Sequence, residues 1–329
     1  MATDVIVIGA GLSGLIAAQQ LKEAGKSFIV LDKGRSVGGR LATRRIGAGQ
    51  ADHGAQFFTA RTDTFQQQVD AWLEAGIVDV WGYGWSDGSL KRTQNDGHPR
   101  YITNGGMNQL AQTLAQSLGN AIHVNSHVHS VSWDDQQWFV SDAESHIYVG
   151  RVLIMTPPVP QSLALLDGVP LAPEEREQLQ RVQYGPCLCG LFVVEGEIDL
   201  PEPGALQNFD NTVYWLADNQ QKGISPDERI ITVHINALYS RAHYDDSDEE
   251  LLAFMREELE KHMSADARIT EQQIKRWRYS VPLVTYPRDI LQSEQLPVIF
   301  AGDAFGGRGR VEGAYMSGLA AGQAALDLL

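Results

Sequence analysis

The opening of the chain constrains it most. An apolar run, Val5-Ile6-Val7-Ile8, leads directly into Gly9-Ala10-Gly11-Leu12-Ser13-Gly14, and Ile16-Ala17-Ala18 continues as a helix. A strand, a G-x-G-x-x-G loop and a helix in that order form a dinucleotide-binding fingerprint. Gly9 lets the chain turn off the strand, Gly11 lets the backbone approach a pyrophosphate, and Gly14 lets helix and strand pack closely. The helix N-terminus presents free N–H groups and positive partial charge to the phosphates. A second strand, Ser27 to Leu31, ends at Asp32, a short carboxylate placed to accept hydrogen bonds from a ribose diol. The chain therefore reads as one that binds an adenine dinucleotide.

At 329 residues it exceeds the usual size of one core, which predicts two domains. A net charge of −15 argues against a general nucleic-acid or anionic-membrane surface, since both partners are negative. Arg40, Arg44, Arg45, Arg308 and Arg310 run against that balance beside glycine-rich loops, a pattern that suits a bound anion. The only two cysteines, Cys187 and Cys189, are too few and too close for a disulfide framework, which points to a reduced, cytoplasmic setting. The start shows no secretion signal, and no apolar stretch approaches the ~20 residues needed to span a bilayer, so a soluble protein is expected.

Helical spacing of Phe65, Val69, Trp72 and Leu73 predicts a helix from Thr62 to Ala75, and Met107, Leu110, Leu114 and Leu118 predict a second after Gly105-Gly106. Residues 77–101 read as short strands and loops, with further strands at 122–131, 137–140 and 147–155. The middle of the chain suggests strands at 188–194, 213–217 and 229–238 and an amphipathic helix at 248–263. Pro297 to Ala301 reads as a buried strand and Gly313 to Leu329 as an Ala/Gly-rich helix. Together these predict an α/β fold. Residues 1–60, 100–160 and 288–329 would form a discontinuous dinucleotide-binding domain, and 61–99 and 161–287 an inserted α+β substrate domain.

The glycine loop alone does not choose between NAD and FAD. Three further segments do: Val37-Gly38-Gly39-Arg40, Asp52-His53-Gly54-Ala55-Gln56-Phe57, and Ala301-Gly302-Asp303 leading to Gly313-Ala314-Tyr315-Met316-Ser317-Gly318. Together they resemble the FAD-dependent amine-oxidase superfamily, with its Rossmann-type domain and p-hydroxybenzoate-hydroxylase-like two-domain plan. Gln56-Phe57-Phe58-Thr59-Ala60-Arg61, Ser240-Arg241 and Arg310-Val311-Glu312-Gly313-Ala314 resemble its renalase branch, in particular bacterial renalase-like proteins. The chain departs from that branch at Tyr239, where relatives often have Trp.

The resemblance implies FAD contacts at Gly9, Gly11, Leu12, Ser13 and Gly14, at Asp32, Lys33, Gly39 and Arg40, and at Val128. It adds Gly302, Asp303, Val311, Glu312 and Ala314 near the C-terminus, with Ala55, Gln56 and Phe57 running close to the isoalloxazine. A helix beginning near Glu312 would aim its N–H groups at the pyrimidine edge, where charge collects on reduction. With no cysteine in the C-terminal segment, FAD would be held non-covalently. Phe57, Phe58, Arg61, Tyr184, His243 and Trp277 would shape a substrate pocket, and no metal is implied. The implied reaction is oxidation of 2- and 6-dihydro isomers of NAD(P)H to NAD(P)+, with dioxygen as acceptor and hydrogen peroxide as product. Competing readings are an amine oxidase or desaturase on the same scaffold, or a flavin- or nucleotide-binding sensor without turnover.

Other patterns have plainer explanations. Gly84-Trp85-Ser86-Asp87-Gly88 matches G-x-S-x-G but is followed by polar Lys91-Arg92-Thr93-Gln94-Asn95 where a nucleophile elbow requires a helix. His123, His127 and His129 would share one solvated strand face, with no acidic or cysteine partner to complete a metal site. Cys187-x-Cys189 lacks the C-x-x-C spacing of a redox pair and reads as two buried small residues.

Overall fold

A computed structural model describes residues 2–89 and 94–329. The apolar opening forms β1 (Ala2–Ile8), and the glycine loop delivers α1 (Leu12–Glu23) and β2 (Phe28–Leu31). A hairpin follows, β3 (Thr43–Ile46) and β4 (Gly49–Asp52), then α2 (Asp63–Glu74), a second hairpin of β5 (Asp79–Trp85) and β6 (Gln94–Ile102), and α3 (Asn108–Leu118). The chain returns through β7 (Ile122–His123), β8 (Val128–Trp133), β9 (Trp138–Asp142) and β10 (Ile147–Met155), followed by two short helices, α4 (Val159–Leu165) and α5 (Pro173–Gln180). The middle contributes β11 (Gln183–Glu195), β12 (Ala205–Gln207), β13 (Val213–Asp218), β14 (Ile230–Ile235), α6 (Ala237–Ala242), α7 (Asp248–Glu260) and β15 (Arg268–Val284). β16 (Leu291–Gln292), β17 (Val298–Phe300) and α8 (Arg310–Asp327) complete it.

Two sheets result. The first runs β16-β17-β10-β1-β2-β7, with β8 and β9 attached through β10. Its centre is parallel, since β1 pairs β10 and β2 in the same direction and β17 joins β10 likewise. Strands buried on both faces must be apolar throughout, as Val5, Ile6 and Val7 are. The second sheet, β12-β13-β14-β11-β15, is antiparallel. The fold is thus a Rossmann-type α/β unit combined with a second, antiparallel sheet. Small residues set the spacing on the first: a Cβ at Gly318 of α8 would stand 2.6 Å from the Ser13 carbonyl oxygen of α1.

The core is continuous between the sheets. Phe65, Trp72, Trp81, Trp85 and Tyr101 cluster with Val5 and Val7 of the parallel sheet and with Trp215 and Ala217 of the antiparallel one. Each such large side chain contributes roughly 1.5–3 kcal/mol when buried. Segments expected in the substrate domain also pack on the parallel sheet, since Leu166, Leu171 and Leu179 join Ile6, Leu31 and Leu153 in one cluster.

Several expected elements are redrawn. The strand expected at 122–131 is broken at Asn125, whose φ of 57° turns the chain. His123 therefore ends β7, His127 lies in the connection and His129 lies in β8, so the three histidines do not share a strand face. The helix expected after Gly106 starts at Asn108, where Asp52 accepts the Met107 N–H at 2.8 Å and Thr43 Oγ1 the Asn108 N–H at 3.1 Å. The strand expected to reach residue 238 stops at Ile235, because Asn236 caps α6 by accepting the Tyr239 N–H at 2.9 Å. The 248–263 helix ends at Glu260, and the last helix begins at Arg310 rather than Gly313, after Gly309 at φ 62°. The hairpin β3–β4, helices α4 and α5, and the 17-residue β15 were not anticipated.

The G-x-S-x-G match forms no nucleophile elbow. Ser86 is fully buried at the end of β5, and its Oγ accepts the Gly88 N–H at 3.0 Å. Lys91 to Thr93 of the following polar stretch lie outside the described residues.

Candidate active site

The two sheets and the segments between them enclose a cavity of about 1770 Å³. That exceeds the roughly 300–1,000 Å³ of a site for one drug-sized ligand and leaves room for a dinucleotide beside a second molecule. Its wall falls into a glycine-rich half and an aromatic, cationic half.

The glycine-rich half carries Gly9, Gly11, Leu12, Ser13, Asp32, Lys33, Gly39 and Arg40, with Val128 arriving from the start of β8. Gly14 lies off this wall, and a side chain there would collide with the Gly9 carbonyl. Its role is therefore packing, as the third glycine of the fingerprint requires. The Ala10 and Gly34 N–H groups donate to the Asp32 carboxylate, each at 2.6 Å, which fixes that side chain at the strand end. The N-terminus of α1 has no side-chain cap, and the buried Ser13 hydroxyl lacks a partner. Uncapped N–H groups and an unpaired buried hydroxyl beside a carboxylate suit a diphosphate and a ribose.

Arg40 crosses to the C-terminal segment. Its guanidinium donates to both oxygens of Asp303 at 2.6 Å, the bidentate geometry in which an arginine–carboxylate pair is strongest. Gly302, Asp303, Val311, Glu312 and Ala314 continue the wall. The first turn of α8 has no side-chain cap, and Glu312 accepts the Thr62 N–H at 2.8 Å, joining that turn to the start of α2.

Ala55, Gln56 and Phe57 line the cavity between the halves. Phe57 leans against Trp85 and Trp215, with ring centroids 5.0 and 5.4 Å away. Phe58 also touches the wall but is 3% exposed and packs among Phe65, Trp72 and Tyr101, so it is chiefly core. Arg61 is exposed on the wall. The cap of α2 is Thr62, which accepts the Phe65 N–H.

Trp277 lines the cavity, donates its indole N–H to the His53 carbonyl at 2.7 Å, and stacks on the His53 ring at 5.3 Å. Two further residues expected in the pocket lie elsewhere. Tyr184 stands behind the wall, under the Arg40 guanidinium and edge-on to the lining residue Tyr279. His243 lies outside the cavity at the end of α6, where it pairs with Asp246 at 2.6 Å and stacks on Tyr239. A charged neighbour three residues away outcompetes a distant pocket for that ring.

The sequence reading missed several wall residues. Lys275, Arg276, Arg278 and Tyr279 arrive with the expected Trp277 on β15, and the alternation of Trp277, Tyr279 and Val281 with charged or polar residues was the available signal. Tyr214 and His234 come from β13 and β14, with the tyrosine oxygen 3.4 Å from His234 Nδ1. Burial, aided by the Lys275 and Arg44 charges, lowers the His53 pKa to about 3, and burial beside Lys222 lowers that of His234 to about 4. Both are neutral at pH 7. Cys187 also touches the cavity, and burial pushes its thiol up to about 12, so it is no nucleophile.

The charges on the wall fall into two sets. Asp32, Asp303 and Glu312 are engaged as described, and Arg40, Arg100, Arg276 and Arg308 pair with Asp303, Asp96, Asp248 and Asp289. Among the described residues, Lys33 and Arg35 on the glycine-rich half, and Arg61, Lys275, Arg278 and Arg310 elsewhere, line the wall without an ion-pair partner; Lys275 and Arg278 sit over the rings of Trp277 and Tyr244.

Residues 73–326 match the family of flavin containing amine oxidoreductases, and residues 7–72 match the NAD(P)-binding Rossmann-like domain. Curated relatives match only locally: a Drosophila melanogaster protein described as "Possible lysine-specific histone demethylase 1" is 51% identical over 55 residues, 17% of this chain and 6% of its own length. An L-amino acid dehydrogenase of Synechocystis is 38% identical over 63 residues, 19% of this chain and 13% of its own. Likeness of fold extends further. Cyclohexylamine oxidase from Brevibacterium oxydans IH-35A superposes with a TM-score of 0.75 at 15% identity, covering 99% of each chain. A triple mutant of putrescine oxidase does so at 0.71 and 16%, covering 99% of this chain and 98% of that one. The wall that suits a diphosphate and a ribose, carried on this fold, agrees with the match: the chain belongs to the flavin-containing amine oxidoreductase family.

Proposed function

We propose that the protein oxidises a phosphate-bearing dihydronicotinamide, the 2- or 6-dihydro isomer of NAD(P)H, to NAD(P)+. The observation that carries this reading is the unpaired cationic half of the cavity. Arg61, Lys275, Arg278 and Arg310 favour an anionic substrate in a protein whose net charge is −15, and they disfavour a protonated amine. FAD, when bound, supplies a two-electron acceptor that hands its electrons to dioxygen, giving hydrogen peroxide. The chain's own residues bind and orient. The cations meet the phosphates, and Phe57, Tyr214, Trp277 and Tyr279 offer flat apolar surfaces to a nicotinamide ring. No wall residue need remove a proton, because the dihydropyridine nitrogen lone pair drives hydride loss. Orientation is then the main contribution of the protein. Neutral His53 and His234 keep further positive charge away from the product's nicotinium ring.

FAD is proposed to be non-covalent, since both cysteines sit on β11 with buried thiols. Acid precipitation should therefore release all flavin into the supernatant. The substrate test is anaerobic mixing with 2- and 6-dihydro-NAD, with ordinary NADH and with simple amines, following flavin absorbance. Rapid bleaching by the non-standard isomers alone is expected. The aromatic wall and the family match make an amine the competing substrate, and bleaching by amines alone would overturn the proposal in its favour. Failure of every donor would leave a nucleotide-binding sensor.

A further inference from the structure

Lys222 lines neither half of the cavity, yet its charge is fully buried. It sits in the turn between β13 and β14, and its side chain and that of Asp52 are both 0% exposed, with Nζ 2.6 Å from Asp52 Oδ2. Nζ also donates to the Gln56 carbonyl at 2.6 Å and lies over the Trp81 ring. Asp52 is filled on its other oxygen by the Thr43 hydroxyl at 2.6 Å and the Met107 N–H at 2.8 Å. Burial lowers the Lys222 pKa, and Asp52 opposes that shift.

Such a pair is expensive to bury and is weak evidence for stability, so its geometry calls for another account. The geometry is centred on Gln56. The Gln56 side-chain amide donates to the Asp52 and Gly54 carbonyls at 2.7 and 3.2 Å, and its Oε1 accepts the Trp215 indole N–H at 3.2 Å. Every polar group of Gln56 is therefore fixed except its own N–H. The next N–H, that of Phe57, is also without an acceptor among the described residues, and in a trans peptide it points opposite to the Gln56 carbonyl.

We propose that Lys222 is a positioning residue for the cofactor: anchored by Asp52, it fixes the Gln56 carbonyl so that the Gln56–Phe57 peptide presents its N–H to the flavin ring. A cation on the carbonyl polarises that peptide and strengthens the donor at its far end. A fixed donor beside a ring that gains negative charge on reduction favours the reduced form. This inference rests on the reading that Ala55 to Phe57 runs beside the isoalloxazine.

The test uses the FAD-loaded double variant Lys222→Met/Asp52→Asn, which leaves no buried carboxylate unpaired, with Lys222→Gln as a second variant retaining a neutral donor. The readout is the flavin midpoint potential measured against a reference dye. The double variant should shift to more negative potential by an amount equivalent to at least a tenfold change in the reduced-to-oxidised ratio, and Lys222→Gln should recover part of the shift. A purely structural pair would lower the melting temperature and FAD content and leave the potential unchanged, and that result overturns the proposal. Phe57→Leu tests the underlying reading separately. An unchanged flavin spectrum in that variant would remove the segment from the ring and the inference with it; a changed spectrum with an unchanged double-variant potential would refute the role of Lys222 alone.

Discussion

The glycine-rich and the cationic halves of the cavity are built in opposite ways. In the first, the acids and Arg40 are settled within the protein: Asp32 is held by two backbone N–H groups, Arg40 by Asp303 in a two-pronged pair, and Glu312 by the Thr62 N–H, while Lys33 and Arg35 have no ion-pair partner among the described residues. In the second, Arg61, Lys275, Arg278 and Arg310 have no ion-pair partner among the described residues. Settled charge preorganises a site for a resident molecule, whereas unsettled charge awaits one that comes and goes. On the proposed function, the same division would separate what holds FAD from what selects a substrate.

Acid should strike the second half hardest. His53 and His234 lie below the ordinary 6.5, at about 3 and about 4, so between 6.5 and those values the unfolded chain holds more protons than the folded one. Stability is then present above pH 6.5 and falls as pH drops through that window. By pH 5 each histidine should have cost roughly 2 kcal/mol. Urea unfolding midpoints at pH 7 and pH 5 check this, and His234→Asn should remove about half of the difference.

Breaking the settled pair comes next in size. Arg40→Ala leaves Asp303 without its partner, which should cost about 2–3 kcal/mol and weaken FAD retention roughly 30- to 150-fold. Equilibrium titration of apoprotein with FAD reads this directly. In the cationic half, Arg61→Ala should raise the substrate Kd about tenfold, roughly 1.4 kcal/mol, with the limiting rate of flavin reduction little changed. An unchanged half-saturation in rapid-reaction kinetics would remove Arg61 from substrate capture. The smallest effect belongs away from both halves. Ser247 caps α7 in a reciprocal capping box with Glu250, and Ser247→Ala should cost about 1 kcal/mol in thermal unfolding without altering FAD affinity or turnover.

How readily each half could be read from the sequence follows from the same contrast. The start of the glycine-rich half is specified by short-range rules, a strand, a turn requiring Gly9 at φ 103° and a helix, so Gly9 to Gly14 and Asp32 could be placed before any fold was known, whereas Lys33, Gly39 and Arg40 rested on the family resemblance. The cationic half draws Lys275, Trp277 and Arg278 with Tyr214 and His234 from β13, β14 and β15, which meet only through long-range pairing, and adds Arg61 from before α2 and Arg310 from the start of α8. β15 escaped notice because it is a half-exposed edge strand, with none of its residues buried, so only the short alternation around Trp277 marks it. His243 was misplaced because its partner, Asp246, lies in its own turn. Lys222 carried no signal, since nothing local distinguishes a buried lysine from the solvated kind.

The most direct measurement compares binding of a phosphate-bearing dihydronicotinamide dinucleotide with that of the phosphate-free dihydronicotinamide riboside over a range of salt concentrations, under anaerobic conditions. If the second half is an anion site, the dinucleotide binds at least about tenfold tighter at low salt, and its advantage shrinks as salt rises. Equal affinities at every salt concentration would contradict the account.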